Sequence, residues 1–571
     1  MPSQGNATDQ GGPFEPDVVI VGSGAGGGMA AYMLTKAGIK TLLLEAGRDY
    51  DPLSENAMLK WNREAPLRAG STPDKHFGYY DATVNGGWTV PGEPYTVAPG
   101  SKFRWWRSRM LGGRTNHWGR HSPRFGPYDF KPHSRDGLGM DWPISYDELA
   151  PWYDRTEKLI GVIGTNVGLE NHPDSSAGVL QPSPKPRITE LMIQAAAKDL
   201  GIPCVPSRYA VLSRAIDDAH APRQACFNAS PCGRGCGIGA AFQSTTSLLP
   251  MAMGTGQLRT ITNATVSRVV TDGHGKATGV EYFDKAGARH FAKARVVVMA
   301  ASACDTAKIL LNSAQHGLAN SSGELGRNLL DTTGTNITGH IPALESRPRY
   351  NEDGMDVAHM YIPFWLYKEQ AAGKLDFPRG YHYELGGKFA MPGAGLSLGG
   401  MEDGYGLSLK EEARRYYGAQ LSFTVRGEMI PNKDSFCELD PEVKDKYGMP
   451  VLRFHWKWSV HELNQIAHGM KTAREIVARL GGTVITPERR PEDAIEDGGV
   501  IIHELGTTRM GDKASNSVTD SYGRAWDVDN LVVVDGSVFT SNAHKNPTLT
   551  ILALAMRNTD HLVSRLRKGE V

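Results

Sequence analysis

Several residues have the types and spacing for chemistry. Gly22, Gly24 and Gly27 form G-x-G-x-x-G directly after an apolar run, and a second apolar run ends at Glu45. Near the other end, His503 in "IIHELGTTRMG", Asp535 after "LVVV" and the pair Asn546-Pro547 are suited to line a cofactor site. Cys226, Cys232 and Cys236 fall within eleven positions, which poses a choice among a disulfide, a metal or iron–sulfur site, and a tight turn.

The elements that must position these residues follow from the pattern. Residues 18–21 and 41–44 read as short buried strands, and 29–36 as a helix between them. Strand, glycines, helix, strand and terminal acid in this order make a dinucleotide-binding βαβ unit. Gly22 permits the tight turn, Gly24 lets the backbone approach a pyrophosphate, and Gly27 lets helix pack on strand. The phosphates meet the positive end of the helix. Glu45 accepts from a ribose hydroxyl, which favours an unphosphorylated adenosine ribose. The unit alone leaves FAD and NAD both open.

Between the ends, "WWRSRMLGGRTNHWGRHSPRF" turns closely at Gly112-Gly113. The stretch from 258 to 300 reads as three short strands broken by "DGHGK" and "DKAGA", ending in a buried run. Residues 340–460 alternate in strand-like segments ("HYELGG", "QLSFTVRGEM", "PVLRFHW"), and "SVHELNQIAHGMKTAREIVARLG" has helical spacing. The last segment is a helix starting at Asn546-Pro547.

At 571 residues the chain is long enough for several domains or one composite fold. Lys+Arg and Asp+Glu both total 62, so no global field favours nucleic acid or an anionic membrane. No apolar run approaches the roughly 20 residues of a bilayer span. The first residues, "MPSQGNATDQGGPFEPD", read as a disordered leader without signal-peptide regions, so a cytoplasmic location is expected from the sequence.

These motifs resemble the glucose–methanol–choline (GMC) oxidoreductases, FAD-dependent enzymes that oxidise alcohols. The likeness runs over almost the full length: the glycine fingerprint, "LGGRTNHWG", "VVVMAASA", "HELGTTRMG" and "DGSVFTSNAHKNPTLT". It is nearest the pyranose-oxidase-like, glycoside 3-dehydrogenase and gluconate-dehydrogenase branches. The resemblance implies an α/β FAD-binding Rossmann-like domain built from 18–150, 222–335 and 495–571. It also implies an α+β substrate-binding domain from 151–221 and 336–494, with a large antiparallel sheet flooring the site.

The resemblance further implies His503 as base and Asn546 as its hydrogen-bonding partner, with His544 as competitor for the partner role. The cofactor set it implies is Gly22, Gly24, Gly27, Glu45, Gly112, Gly113, Asn116, His117, Val266, Asp535, Pro547 and Thr548. His117 holds the position of a histidine that bonds covalently to flavin in one branch, so covalent and non-covalent FAD are both open. Glu428 either faces the pocket or is solvated.

The expected reaction is oxidation of a sugar or glycoside secondary hydroxyl, C3-type, with electrons passed to a quinone or cytochrome. An O2-using oxidase is the alternative, as is a subunit of an electron-transfer complex. Relatives of that kind pair with a small subunit carrying an export signal, which would make the location periplasmic. Some relatives carry C-x2-C-x2-C-x3-C holding an iron–sulfur cluster. Here Ala229 replaces one cysteine, leaving Cys226, Cys232 and Cys236 as a three-ligand cluster or a structural loop.

Overall fold

Val18–Val21, Thr41–Leu44 and Val296–Met299 are buried at every residue, as strands covered on both faces must be. They form the centre of a five-stranded parallel sheet in the computed structural model, in the order Leu531–Val533, Val296–Met299, Val18–Val21, Thr41–Leu44, Leu258–Ile261. The structure describes residues 14–55, 64, 66–70, 72, 86–227, 232–346, 357–387 and 405–571. Most of the expected leader and Ala229 lie outside them.

Ala25–Lys36 crosses from the first strand to the second and packs against the C-terminal helix Thr548–Lys568. The stretch read as three strands divides differently. Leu258–Ile261 joins the parallel sheet, whereas 265–271, 277–283 and 289–293 form a separate antiparallel sheet. Its two turns are set by Asp272 and Asp284, whose carboxylates accept amide N–H groups two and four residues on, at 2.8–3.0 Å.

The second layer is a six-stranded antiparallel sheet, ordered 483–484, 333–340, 420–427, 381–386, 360–362, 205–206. Side chains alternate across it. Tyr381, Tyr383, Phe423 and Val425 turn to one face and share a core with Ile466, Ala473 and Val477 of the helix Val460–Arg479. Ser459 and Glu462 cap that helix reciprocally. The opposite face carries Tyr361, His382, Glu384 and Arg426, with His382 directly across from Arg426 and Glu384 across from Tyr361.

"PVLRFHW" is not part of this sheet. Pro450–His455 pairs with Phe436–Lys444 and Thr96–Val97, because Phe454 has its aromatic partners elsewhere. Its ring stacks on Phe103 at 4.3 Å and meets Trp105 edge-on at 5.6 Å.

Candidate active site

A cavity of about 930 Å³ runs between the two layers. One end is made by the glycine turn, and the glycines act there as three different devices. Gly22 has φ +99°, and a Cβ on it would stand 2.4 Å from the Ala300 carbonyl oxygen. A Cβ on Gly27 would stand 1.9 Å from the Gly22 carbonyl oxygen, so only glycine lets this helix start against the strand. A Cβ on Gly24 would meet nothing within 4 Å, because that face looks into the cavity. Across from it stands Gly113, whose Cβ would be 3.8 Å from the Gly24 Cα.

Glu45 lines the same end and closes the turn. Its carboxylate accepts from the Ser23 hydroxyl, the Ser23 N–H at 3.1 Å and the Gly47 N–H at 2.8 Å. Burial pushes this carboxyl up, and the Ser23 and Gly47 hydrogen bonds oppose the shift. Gly112, at φ +84°, donates its N–H to the Ser23 hydroxyl at 2.8 Å, joining the two glycine motifs.

At the other end stand His503 and Asn546. The His503 Nδ1 lies 2.9 Å from the Thr332 hydroxyl, and its backbone N–H donates to the buried Asp331 carboxylate at 3.0 Å. That leaves Nε2 as the ring nitrogen for a reacting group. Asn546 immediately precedes the Pro547 cap of the C-terminal helix. Its Oδ1 is 2.7 Å from His121 Nδ1, and its Nδ2 donates to Glu384 Oε1 at 3.0 Å. Both ends of the carboxamide are thereby fixed.

Comparison with known proteins settles what this arrangement belongs to. GMC oxidoreductase family patterns match residues 96–333 and 431–555, and an FAD binding domain matches 17–85. The chain is 32% identical to 2-methyl-1,2-propanediol dehydrogenase from Mycolicibacterium austroafricanum, over 96% of each chain. The chain belongs to the GMC oxidoreductase family. It is also 29% identical to the fructose dehydrogenase large subunit of Gluconobacter japonicus, over 97% of this chain and 98% of that one. Its fold matches pyridoxine 4-oxidase from Mesorbium loti with a TM-score of 0.63 at 17% identity, over 96% and 99% of the two chains.

The cofactor of this GMC oxidoreductase is FAD, and the cavity fits it. The open face at Gly24 and the crowding at Gly22 and Gly27 leave a channel for phosphates where a side chain would stand. Val266, Asp535, Pro547 and Thr548 also line the cavity. The Asp535 carboxylate is taken by the Ser302 N–H at 3.0 Å, the Thr306 hydroxyl at 2.6 Å and the Ser537 N–H at 2.9 Å, so it ties two segments together on the cavity wall.

Three side chains, Asn116, His544 and Glu428, turn away from the cavity. Asn116 is fully buried, donates to the Leu111 carbonyl at 2.8 Å and accepts from Thr245 at 2.9 Å, so it shapes the loop that presents His117. His544 lies off the cavity, its Nε2 3.3 Å from the Tyr367 hydroxyl and its ring beside Phe364. Asn546 lines the cavity and His544 does not. Glu428 is neither on the cavity nor solvated: it is buried in an ion pair with Arg379 at 2.5 Å.

Cys226, Cys232 and Cys236 lie in a small cluster with Ile163, Tyr209 and Val211. Cys236 is buried, and its sulfur accepts the Ala241 N–H at 3.4 Å. Among the described residues, the ligand atoms that converge to within 4.8 Å of one another belong to His121, His382 and Glu384. The three cysteine sulfurs make no such single-ion set. The histidine–glutamate group already has a cation beside it, since Arg426 Nε lies 3.8 Å from Glu384 Oε2.

His121, Glu384 and Arg426 on the cavity wall, and Arg114 paired with Glu504, were not found from sequence. His121 stands inside the aromatic and basic stretch after Gly113, and Glu384 inside "HYELGG", so the only signal was a polar residue within strand alternation.

Burial, with Arg426 adding to it and Glu384 opposing it, pulls the His503 pKa from 6.5 to about 3. A base works when neutral, so protonation removes activity only as pH falls through this lowered value. The acid limb of kcat/KM is expected well below 6.5, and a limb at 6.5 would contradict the buried environment. His121, brought down to about 4 chiefly by burial, is also neutral in the fold. The unfolded chain takes up protons at these histidines once pH drops below 6.5, so stability falls from there downward.

Proposed function

We propose that this GMC oxidoreductase oxidises a hydroxyl of a sugar or small polyol to a carbonyl, and that its electrons leave to an acceptor other than NAD. The supporting observation is that His503 and Asn546 meet in the one cavity that also holds the phosphate channel. With its Nδ1 directed to Thr332, His503 takes the hydroxyl proton at Nε2. Asn546, fixed by its bonds to Glu384 and His121, has one further amide hydrogen, and this donor holds the substrate oxygen as charge develops. FAD, when bound, supplies the acceptor for the hydride that leaves the carbon. Asp331, pushed up to about 7 by burial and by Glu504, keeps the His503 backbone in place through its N–H acceptor.

The names of the two relatives point to a vicinal diol and a ketohexose, which agrees with a polyhydroxy substrate and leaves C3-type regiochemistry as one case of it. Incubation with sugars and diols in the presence of a reducible dye, with identification of the carbonyl product, tests the reading. Dye reduction without peroxide under air marks a dehydrogenase, and stoichiometric peroxide marks the oxidase alternative. Co-purification of a small subunit when the neighbouring coding regions are expressed together would extend the reading to a complex with a quinone or cytochrome acceptor, exported with that partner.

We read the flavin as non-covalently held, since the His117 Nε2 is already 2.6 Å from the Ser108 hydroxyl. Acid precipitation is expected to release the flavin to the supernatant, and flavin retained in the pellet would establish a bond to the protein. The cysteine loop is read as structural, so stoichiometric iron in the purified holoprotein would reverse that assignment.

A further inference from the structure

We propose that Glu384 and Arg426 form a subsite for a second hydroxyl, vicinal to the one oxidised. The proposal rests on the hydroxyl-oxidation reading above and names its substrate class more closely.

The two oxygens of Glu384 have different surroundings. Oε1 accepts from Asn546 Nδ2 at 3.0 Å and has His121 Nδ1 at 3.5 Å and His382 Nε2 at 3.7 Å. Oε2 has Arg426 Nε at 3.8 Å, longer than a hydrogen bond. An acceptor and a guanidinium fork thus stand side by side on the cavity wall without satisfying each other. Room for the fork is made by Gly334, directly across from Arg426, where a Cβ would come within 3.0 Å of Arg426 Nη1.

The carboxylate remains charged. Burial works against the charge, but His382, Arg426 and His121 outweigh it and hold the carboxyl well below its usual range. A ligand group that suits this pair must donate to Oε2 and accept from the guanidinium. A hydroxyl does both. An ether or carbonyl oxygen cannot donate, and a carboxylate would be repelled by Glu384.

The position is equally restrictive. Glu384 is hydrogen-bonded to Asn546, so the subsite begins one group away from the reacting oxygen. That separation suits a hydroxyl on the neighbouring carbon. A lone alcohol would leave Oε2 and the fork without their ligand, which costs about 10²-fold for a group bonded to a charge.

The test compares anaerobic flavin reduction by propylene glycol against n-propanol, and by a methyl glucoside against its monodeoxy analogues, in the FAD-loaded protein. In the wild type the hydroxyl next to the reacting carbon is expected to raise kcat/KM by about 10²-fold. In Glu384→Gln and in Arg426→Met the same ratio is expected to shrink to about 5-fold or less, whatever happens to the absolute rates. A role limited to holding Asn546 would slow diol and single alcohol together and leave the ratio unmoved, which would overturn the subsite. A wild-type ratio near one would also overturn it, with hydroxyl oxidation intact. Flavin that none of these compounds reduces, while an unrelated substrate does, would overturn both readings.

Discussion

His503→Ala is expected to retain FAD and the wild-type fold while flavin reduction by substrate slows by about 10²–10⁴-fold. The size follows from what the imidazole alone supplies. Nδ1 is held by Thr332, and the backbone is held by Asp331, so the ring faces the cavity with one defined nitrogen. Neighbours do not replace it. His121 is committed to Asn546 through Nδ1, and His544 lies off the cavity beside Tyr367. The loss should fall on kcat and kcat/KM together, because proton removal belongs to the transition state. His503→Ala reducing its flavin at the wild-type rate would remove His503 from the mechanism.

Gly24→Val and Gly27→Val should fail in different ways, although both lie in one motif. At Gly24 the added side chain meets only open cavity, so the protein is expected to fold and to lose FAD almost completely. At Gly27 the Cβ falls 1.9 Å from a backbone oxygen that cannot move without breaking the turn, so soluble protein itself should be lost or strongly destabilised. Thermal unfolding and flavin content of the two purified variants separate these outcomes. Equal flavin content in Gly24→Val and wild type would mean that the phosphates do not pass over Gly24.

The contrast also shows what was legible in the sequence. The glycine unit was readable because its turn, strand and helix are contiguous, so its parts were expected where the structure has them. The helix start was legible as well, and it sets Asn546 next to Pro547 on the cavity while His544 turns toward Tyr367. Asn116 was misplaced because it neighbours His117 in one tight turn, in which adjacent side chains point apart. Glu384 and Arg426 come together only through pairing of two strands some forty residues apart in the chain, in a register that sets His382 against Arg426. Alternation in "YHYELG" put His382 and Glu384 on one face, but nothing local said that this face looks at the cofactor. "PVLRFHW" shows the same limit, for its strand character was right and its partner was decided by Phe103 and Trp105, far upstream.

Removal of a hydride from a carbon bearing a hydroxyl, and its passage to FAD, is the reaction expected of this cavity. Mixing the oxygen-free holoprotein with a methyl glucoside or propylene glycol and following the visible flavin absorbance tests it without any knowledge of the natural acceptor. Bleaching to the reduced form is expected, slower when the reacting carbon carries deuterium and nearly abolished in His503→Ala. Flavin that stays oxidised across a wide panel of sugars, polyols and simple alcohols would contradict it.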